Sequence, residues 1–170
     1  MSHIKGTKAL NKAVSANLAP FGIAKAVLSN TYSYLWEKEI VTFTVFESEF
    51  EDEWFKEFIY ERFGYAVNEY GFIISLLHEV GHHNTYDDID VSTINFCSDE
   101  KARISREMED AEDESVAKAL EWQYFNLPDE IVATEWAVNF AKENPEVIKE
   151  MWDTLKQELL KFYKKNDLTE

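Results

Sequence analysis

The sequence predicts an α+β fold that is predominantly helical, with a small sheet packed on a central helix. Three observations lead there. Apolar residues recur at helical spacing in several stretches, most clearly Ile148, Trp152, Leu155, Leu159 and Phe162, which step by four, three, four and three. The segment Ile40-Val41-Thr42-Phe43-Thr44-Val45-Phe46 is instead dominated by β-branched and aromatic residues and reads as a strand. Only 3 Pro and 5 Gly punctuate 170 residues, and no internal repeat or low-complexity linker divides them, so 1–170 reads as a single domain. The 12 Phe, 8 Tyr and 5 Trp are ample core material.

Taken in chain order, residues 8–17 and 21–30 are expected as short helices separated by Ala19-Pro20. Tyr32 to Trp36 is a candidate second strand, paired with 40–46. Residues 48–63 read as a helix: Ser48 and Glu51 form a capping-box pattern, Phe50, Trp54, Phe58 and Ile59 an apolar stripe, and Gly64 a stop. A buried helix from about Asn68 to His83 follows, then a polar, Asp-rich loop from Asn84 to Ser92. Residues 98–125 are helical in pattern but broken by the charged stretch Glu107 to Glu114, which reads as a solvated face. Pro128 with Asp129 and Glu130 opens the next helix. The last begins at Asn144, a candidate N-cap, with Pro145 at the first helical position; Lys161, Lys164 and Lys165 suit its C-terminal dipole.

Charge narrows the possible partners. The formal net charge of −16 argues against direct binding of nucleic acid or of an anionic membrane surface. No apolar run approaches the length of a membrane span, and residues 1–10 lack a signal-like apolar core, so a cytoplasmic location is expected. The single Cys97 has no partner for an internal disulfide and reads as a small buried hydrophobe.

The chemistry is concentrated in His78-Glu79-Val80-Gly81-His82, embedded in the apolar run from Phe72. Residues four apart on a helix share a face, so His78 and His82 can offer their imidazoles to one metal ion. Glu79 sits beside the first histidine, placed to act as a general base without being a ligand. Gly81 removes a side chain where a substrate or another backbone could approach closely.

Two histidines leave a tetrahedral zinc ion, Zn2+, short of one protein ligand. Glu130 is the leading candidate, because Glu130, Ala133, Thr134 and Ala137 would share one helical face, small enough to pack closely on the motif helix. Asp88 is the rival, six residues after His82, with Asp87, Asp90 and Glu135 behind it. Asp87, Asp88 or Asp90 could alternatively orient a ligating imidazole. An oxyanion donor is also needed, for which His83, Tyr86 and Tyr124 are candidates.

The pairing of His78-Glu79-Val80-Gly81-His82 with a later Glu130-x-x-Ala133-Thr134-x-Trp136-Ala137 resembles the compact gluzincin-like metallopeptidases, and among them the small ImmA/IrrE-like and phage-encoded proteins. The resemblance covers two short segments. It implies a zincin-like domain with His78, His82 and Glu130 as ligands, Glu79 as catalytic base and the strand 40–46 along the cleft. The 47 residues between His82 and Glu130 are a long insertion for the smallest members, and no helix-turn-helix module accompanies them.

The expected function is zinc-dependent hydrolysis of a peptide bond in a specific protein substrate, with 40–46 as an edge strand able to hold an extended peptide. Two alternatives belong to other classes. One is an interaction protein that keeps the zincin shape without turnover; the other is an acidic decoy or inhibitor, suggested by the charge alone.

Overall fold

A computed structural model of the chain describes residues 5–45 and 49–166. Seven helices among them are α1 (Thr7–Leu18), α2 (Glu49–Phe63), α3 (Gly71–Thr85), α4 (Val91–Glu109), α5 (Glu114–Phe125), α6 (Pro128–Glu143) and α7 (Pro145–Asn166). Three short strands, β1 (Lys25–Leu28), β2 (Ser33–Leu35) and β3 (Ile40–Phe43), form one mixed sheet in the order β1-β3-β2. The architecture is mostly helical with a small sheet, as the residue pattern predicts.

Residues 21–30 depart from expectation. The chain turns at Gly22, whose φ of 87° suits a residue without Cβ, and then runs as β1, parallel to β3 with Ala26 opposite Val41. Pairing with β3 and burial of Ala26 override the helical preference of the alanines. α1 then seals the outer edge of this strand: Ser15 Oγ accepts the Ala26 N–H (2.8 Å) and Asn11 Oδ1 the Leu28 N–H (2.8 Å).

The strand expected over 40–46 ends at Phe43, and Phe46 lies outside the described residues. It is also central in the sheet, so the edge-strand role assigned to it passes to β2, which pairs antiparallel with β3 through Ser33 and Thr42, Tyr34 and Val41, Leu35 and Ile40. The Ser48–Glu51 capping box and Phe50 likewise fall outside the described residues and side chains. Gly64 does stop α2, at φ 62°, its N–H donating to the Tyr60 carbonyl (2.9 Å).

The Asp-rich stretch 84–92 is more ordered than a loop. α3 runs to Thr85, a 3-10 turn covers Tyr86–Asp88, and α4 opens at Val91, where Asp90 accepts the Thr93 N–H (3.1 Å) as its N-cap. Asn144, expected to cap α7, turns its side-chain amide back to the Phe140 carbonyl of α6 (2.9 Å).

Val14, Leu18, Val41, Phe43, Ile73, Ile74, Leu77, Ala137, Leu155 and Phe162 join the sheet, α1, α3, α6 and α7 in the main core. A second, smaller cluster of Cys97, Ile104, Leu120 and Leu127 lies beneath α4 and α5. No helix among the described residues is long and apolar enough to cross a membrane.

Candidate metal centre

α3 is buried almost throughout, and its tightest partner is α6. The close approach comes from small residues. A Cβ on Gly81 would lie 2.3 Å from the Ala133 carbonyl oxygen, which leaves no room for any side chain there. Of the two roles open to Gly81, the structure assigns it contact with another backbone. Glu130, Ala133, Thr134 and Ala137 all face inward and are buried, while Glu135 points to solvent.

This packing brings the Glu130 carboxylate to the two histidines. Glu130 Oε2 lies 2.9 Å from His78 Nε2, the two Nε2 atoms lie 3.2 Å apart, and His82 Nε2 lies 3.4 Å from Glu130 Oε1. A tetrahedral zinc with arms of about 2.0 Å separates its ligands by about 3.3 Å. Among the described residues, His78, His82 and Glu130 form a group close enough to hold a metal ion. Asp88 is exposed and outside this group, and Asp90 is occupied as a helix cap.

The hydrogen bonds around His78 set which nitrogen faces the group. Thr134 Oγ1 donates its one proton to the Glu130 carbonyl (2.8 Å), so it can only accept from His78 Nδ1–H at 3.0 Å. His78 Nε2 is then left with its lone pair toward His82 and Glu130. Three electron-pair donors of mixed nitrogen and oxygen type converge, a set suited to a divalent transition-metal ion.

Electrostatics sharpen the picture. Burial chiefly, with the Glu130 carboxylate adding to it, pushes the Glu79 carboxyl up to about 7 against the opposing pull of His78 and Lys101. Burial also opposes charge on Glu130, but His82 and His78 outweigh it and hold that carboxyl well below the usual range. Lys101 of α4 is the neighbour that sequence reasoning missed. Its ammonium contacts Glu130 Oε1, lies 2.5 Å from Asp129 Oδ2 and sits 5.5 Å from the centre of the Tyr124 ring. Burial disfavours the charge on Lys101, yet Glu130, Tyr124 and Asp129 overcome that and raise its pKa. Only the helical phase of Lys101 on α4 hints at this role, and the sequence does not say which helix α4 packs against.

The group opens into a cavity of about 760 Å³. Its walls include the β2 region from Asn30 to Lys38, Phe55, Ser75, Tyr86, Glu121, Tyr124 and Phe125. Phe55 packs edge-on to His78 with ring centres 5.5 Å apart. Tyr86 and Tyr124 therefore face the cavity, as oxyanion donors must. His83 does not line it; its Nδ1 is hydrogen-bonded to the Tyr34 hydroxyl at 2.5 Å.

The chain matches no family model, no curated protein and no solved structure. The site must be read from its own geometry.

Proposed function

We propose that the protein is a zinc-dependent peptidase acting on a protein substrate. The observation that carries this reading is the convergence of His78 Nε2, His82 Nε2 and Glu130 at 2.9–3.4 Å, with Glu79 beside them at the floor of an open cavity. The resemblance of the two motif segments to gluzincin-like metallopeptidases supports it.

His78, His82 and Glu130 would hold the ion, and a zinc ion so held supplies Lewis acidity for a scissile carbonyl and for an attacking water. Thr134 keeps His78 in the tautomer that can ligate, and Lys101 anchors Glu130 Oε1, the oxygen nearer His82, while Oε2 stays toward His78. Glu79 takes a proton from the attacking water on its carboxylate and returns it to the leaving amine. Tyr86 and Tyr124 face the cavity with hydroxyls able to donate to a developing oxyanion. An extended substrate lies along β2. Of the two outer strands, β1 is sealed by Ser15 and Asn11 of α1, whereas β2 borders the cavity.

One observation favours a second reading. The Lys101–Glu130 ion pair balances the buried carboxylate without any metal, as a protein that keeps this shape without turnover would require. Metal analysis of the purified chain separates the two. The peptidase reading expects about one zinc per chain, lost in His78→Ala and in His82→Ala. It also expects Glu79→Gln to keep zinc and lose cleavage by at least about a hundredfold. The substrate is sought as the protein that disappears from cells expressing the wild type but persists with Glu79→Gln. A chain that takes up no zinc, or a Glu79→Gln variant that cuts as fast as wild type, would end this reading.

A further inference from the structure

The mouth of the cavity carries a feature that the hydrolytic chemistry leaves unused. Trp36 follows directly on the edge strand β2 and stacks on Tyr86, with ring centres 4.3 Å apart and planes 19° from parallel. Both rings line the cavity, yet Trp36 remains 51% exposed. An indole packed on one side and open on the other is a platform, held in place by its partner ring before anything binds.

The surroundings of the platform define its complement. Trp36 and Tyr86 each open a 3-10 turn, Trp36–Lys38 and Tyr86–Asp88. These turns place Glu37 and Glu39 next to Trp36 in the chain, and Asp87 and Asp88 next to Tyr86. All four carboxylates are exposed, and none is ion-paired with a lysine or arginine among the described residues. Lys38 is the opposing charge within these turns. The face of an indole is itself electron-rich and attracts cations, more so when carboxylates lie nearby. A phenyl ring could use the indole face but would gain nothing from the carboxylates, and an acidic side chain would be repelled by them.

We propose that the Trp36–Tyr86 stack is a subsite for an arginine or lysine side chain of the substrate, carried on an extended segment that runs along β2 toward His78, His82 and Glu130. The inference rests on the peptidase reading for the direction of that segment. Because Trp36 adjoins the end of β2, a strand laid against β2 passes the platform on its way to Glu79. The substrate class is then a protein with a basic residue on an extended stretch, drawn by the acidic surface of the chain.

The test uses the full chain carrying Glu79→Gln, with and without zinc, so that nothing is cut during binding. Fluorescein-labelled peptides of the form Ala-Ala-X-Ala-Ala-Ala, with X as Arg, Lys, Gln, Phe or Glu, are titrated by fluorescence anisotropy. The Arg and Lys peptides are expected to bind about tenfold tighter than the Gln peptide, and the advantage should shrink as salt is raised. Adding Trp36→Ala should bring the Arg peptide to the level of the Gln peptide while the circular dichroism spectrum is unchanged. Adding Glu37→Gln with Asp87→Asn should weaken it severalfold. Tightest binding by the Phe peptide, equal binding of Arg and Gln peptides, or indifference to Trp36→Ala would overturn the proposal. Failure of the peptidase reading shows elsewhere: the subsite stands, and hydrolysis falls, if the Arg peptide binds through Trp36 but wild type never cuts it.

Discussion

The two sides of the cavity are built on opposite terms. The wall formed by α3 and α6 is largely buried, backed by small residues, and so close that the Ala133 carbonyl occupies the space where residue 81 would carry a Cβ. The rim formed by β2 and the turns at Trp36 and Tyr86 is half exposed, aromatic and acidic. The wall leaves its side chains little freedom to move, which a metal centre there would require. The rim tolerates change, as recognition of a side chain allows. Substitutions should therefore be felt strongly on the wall and faintly on the rim.

The largest effect is expected from Gly81→Ala. Its methyl group meets backbone rather than a flexible side chain, so α3 and α6 must part, at a cost of about 3 kcal/mol and with loss of zinc binding. Urea unfolding and zinc titration would measure both, and an unperturbed Gly81→Ala would erase the contrast between the two sides.

A pH effect of similar size follows from Glu79. In the metal-free state, the folded chain holds a proton on this carboxyl up to about pH 7, against an ordinary value of 4.5. The folded state therefore binds more protons than the unfolded state in that window. The stability this group confers is complete below 4.5 and is lost as pH rises through 7, about 3 kcal/mol in all. Glu79→Gln removes the titration. The stability difference between wild type and Glu79→Gln, measured by chemical unfolding in chelator, should shift against wild type from pH 5 to pH 8.

Smaller again is Thr134→Val, which keeps the shape but leaves His78 Nδ1–H without its acceptor. Zinc affinity should fall about 10- to 100-fold with little loss of fold. The smallest effect is expected at the rim: Trp36→Ala should cost about 1 kcal/mol, the worth of its stack on Tyr86, and a loss above about 2 kcal/mol would mean that the platform is part of the fold.

Much of the fold was legible because its signals are local. α2, α6 and α7 carry their own stops and starts: Gly64 at the end of α2, Pro128 and Pro145 at the first positions of the other two. The inward face of α6, Glu130 to Ala137, followed from helical phase alone. Failures occurred where the partner decided. Residues 25–28 favour strand only through Val27, and the presence of β3 beside them decides. β3 itself was legible as a strand but not as a central one, since strand order is a property of the whole sheet. Asp90 is a different case: its cap on the Thr93 N–H is local, but Asp87 and Asp88 beside it carry the same side chain and hide which acid opens the helix.

For the candidate site the division is similar. By itself the sequence determined that two imidazoles share a helix face with an acid beside the first, because a four-residue spacing is fixed by the pitch of any α-helix. It also singled out Glu130, through the small residues that follow it on the same face. Only the tertiary structure decided that α6 lies against α3 closely enough for that carboxylate to reach both rings, that Thr134 turns His78 Nε2 toward it, and that Lys101 joins them. Those facts depend on how helices distant in sequence meet, and the packing of side chains across an interface is not encoded in the period of either helix.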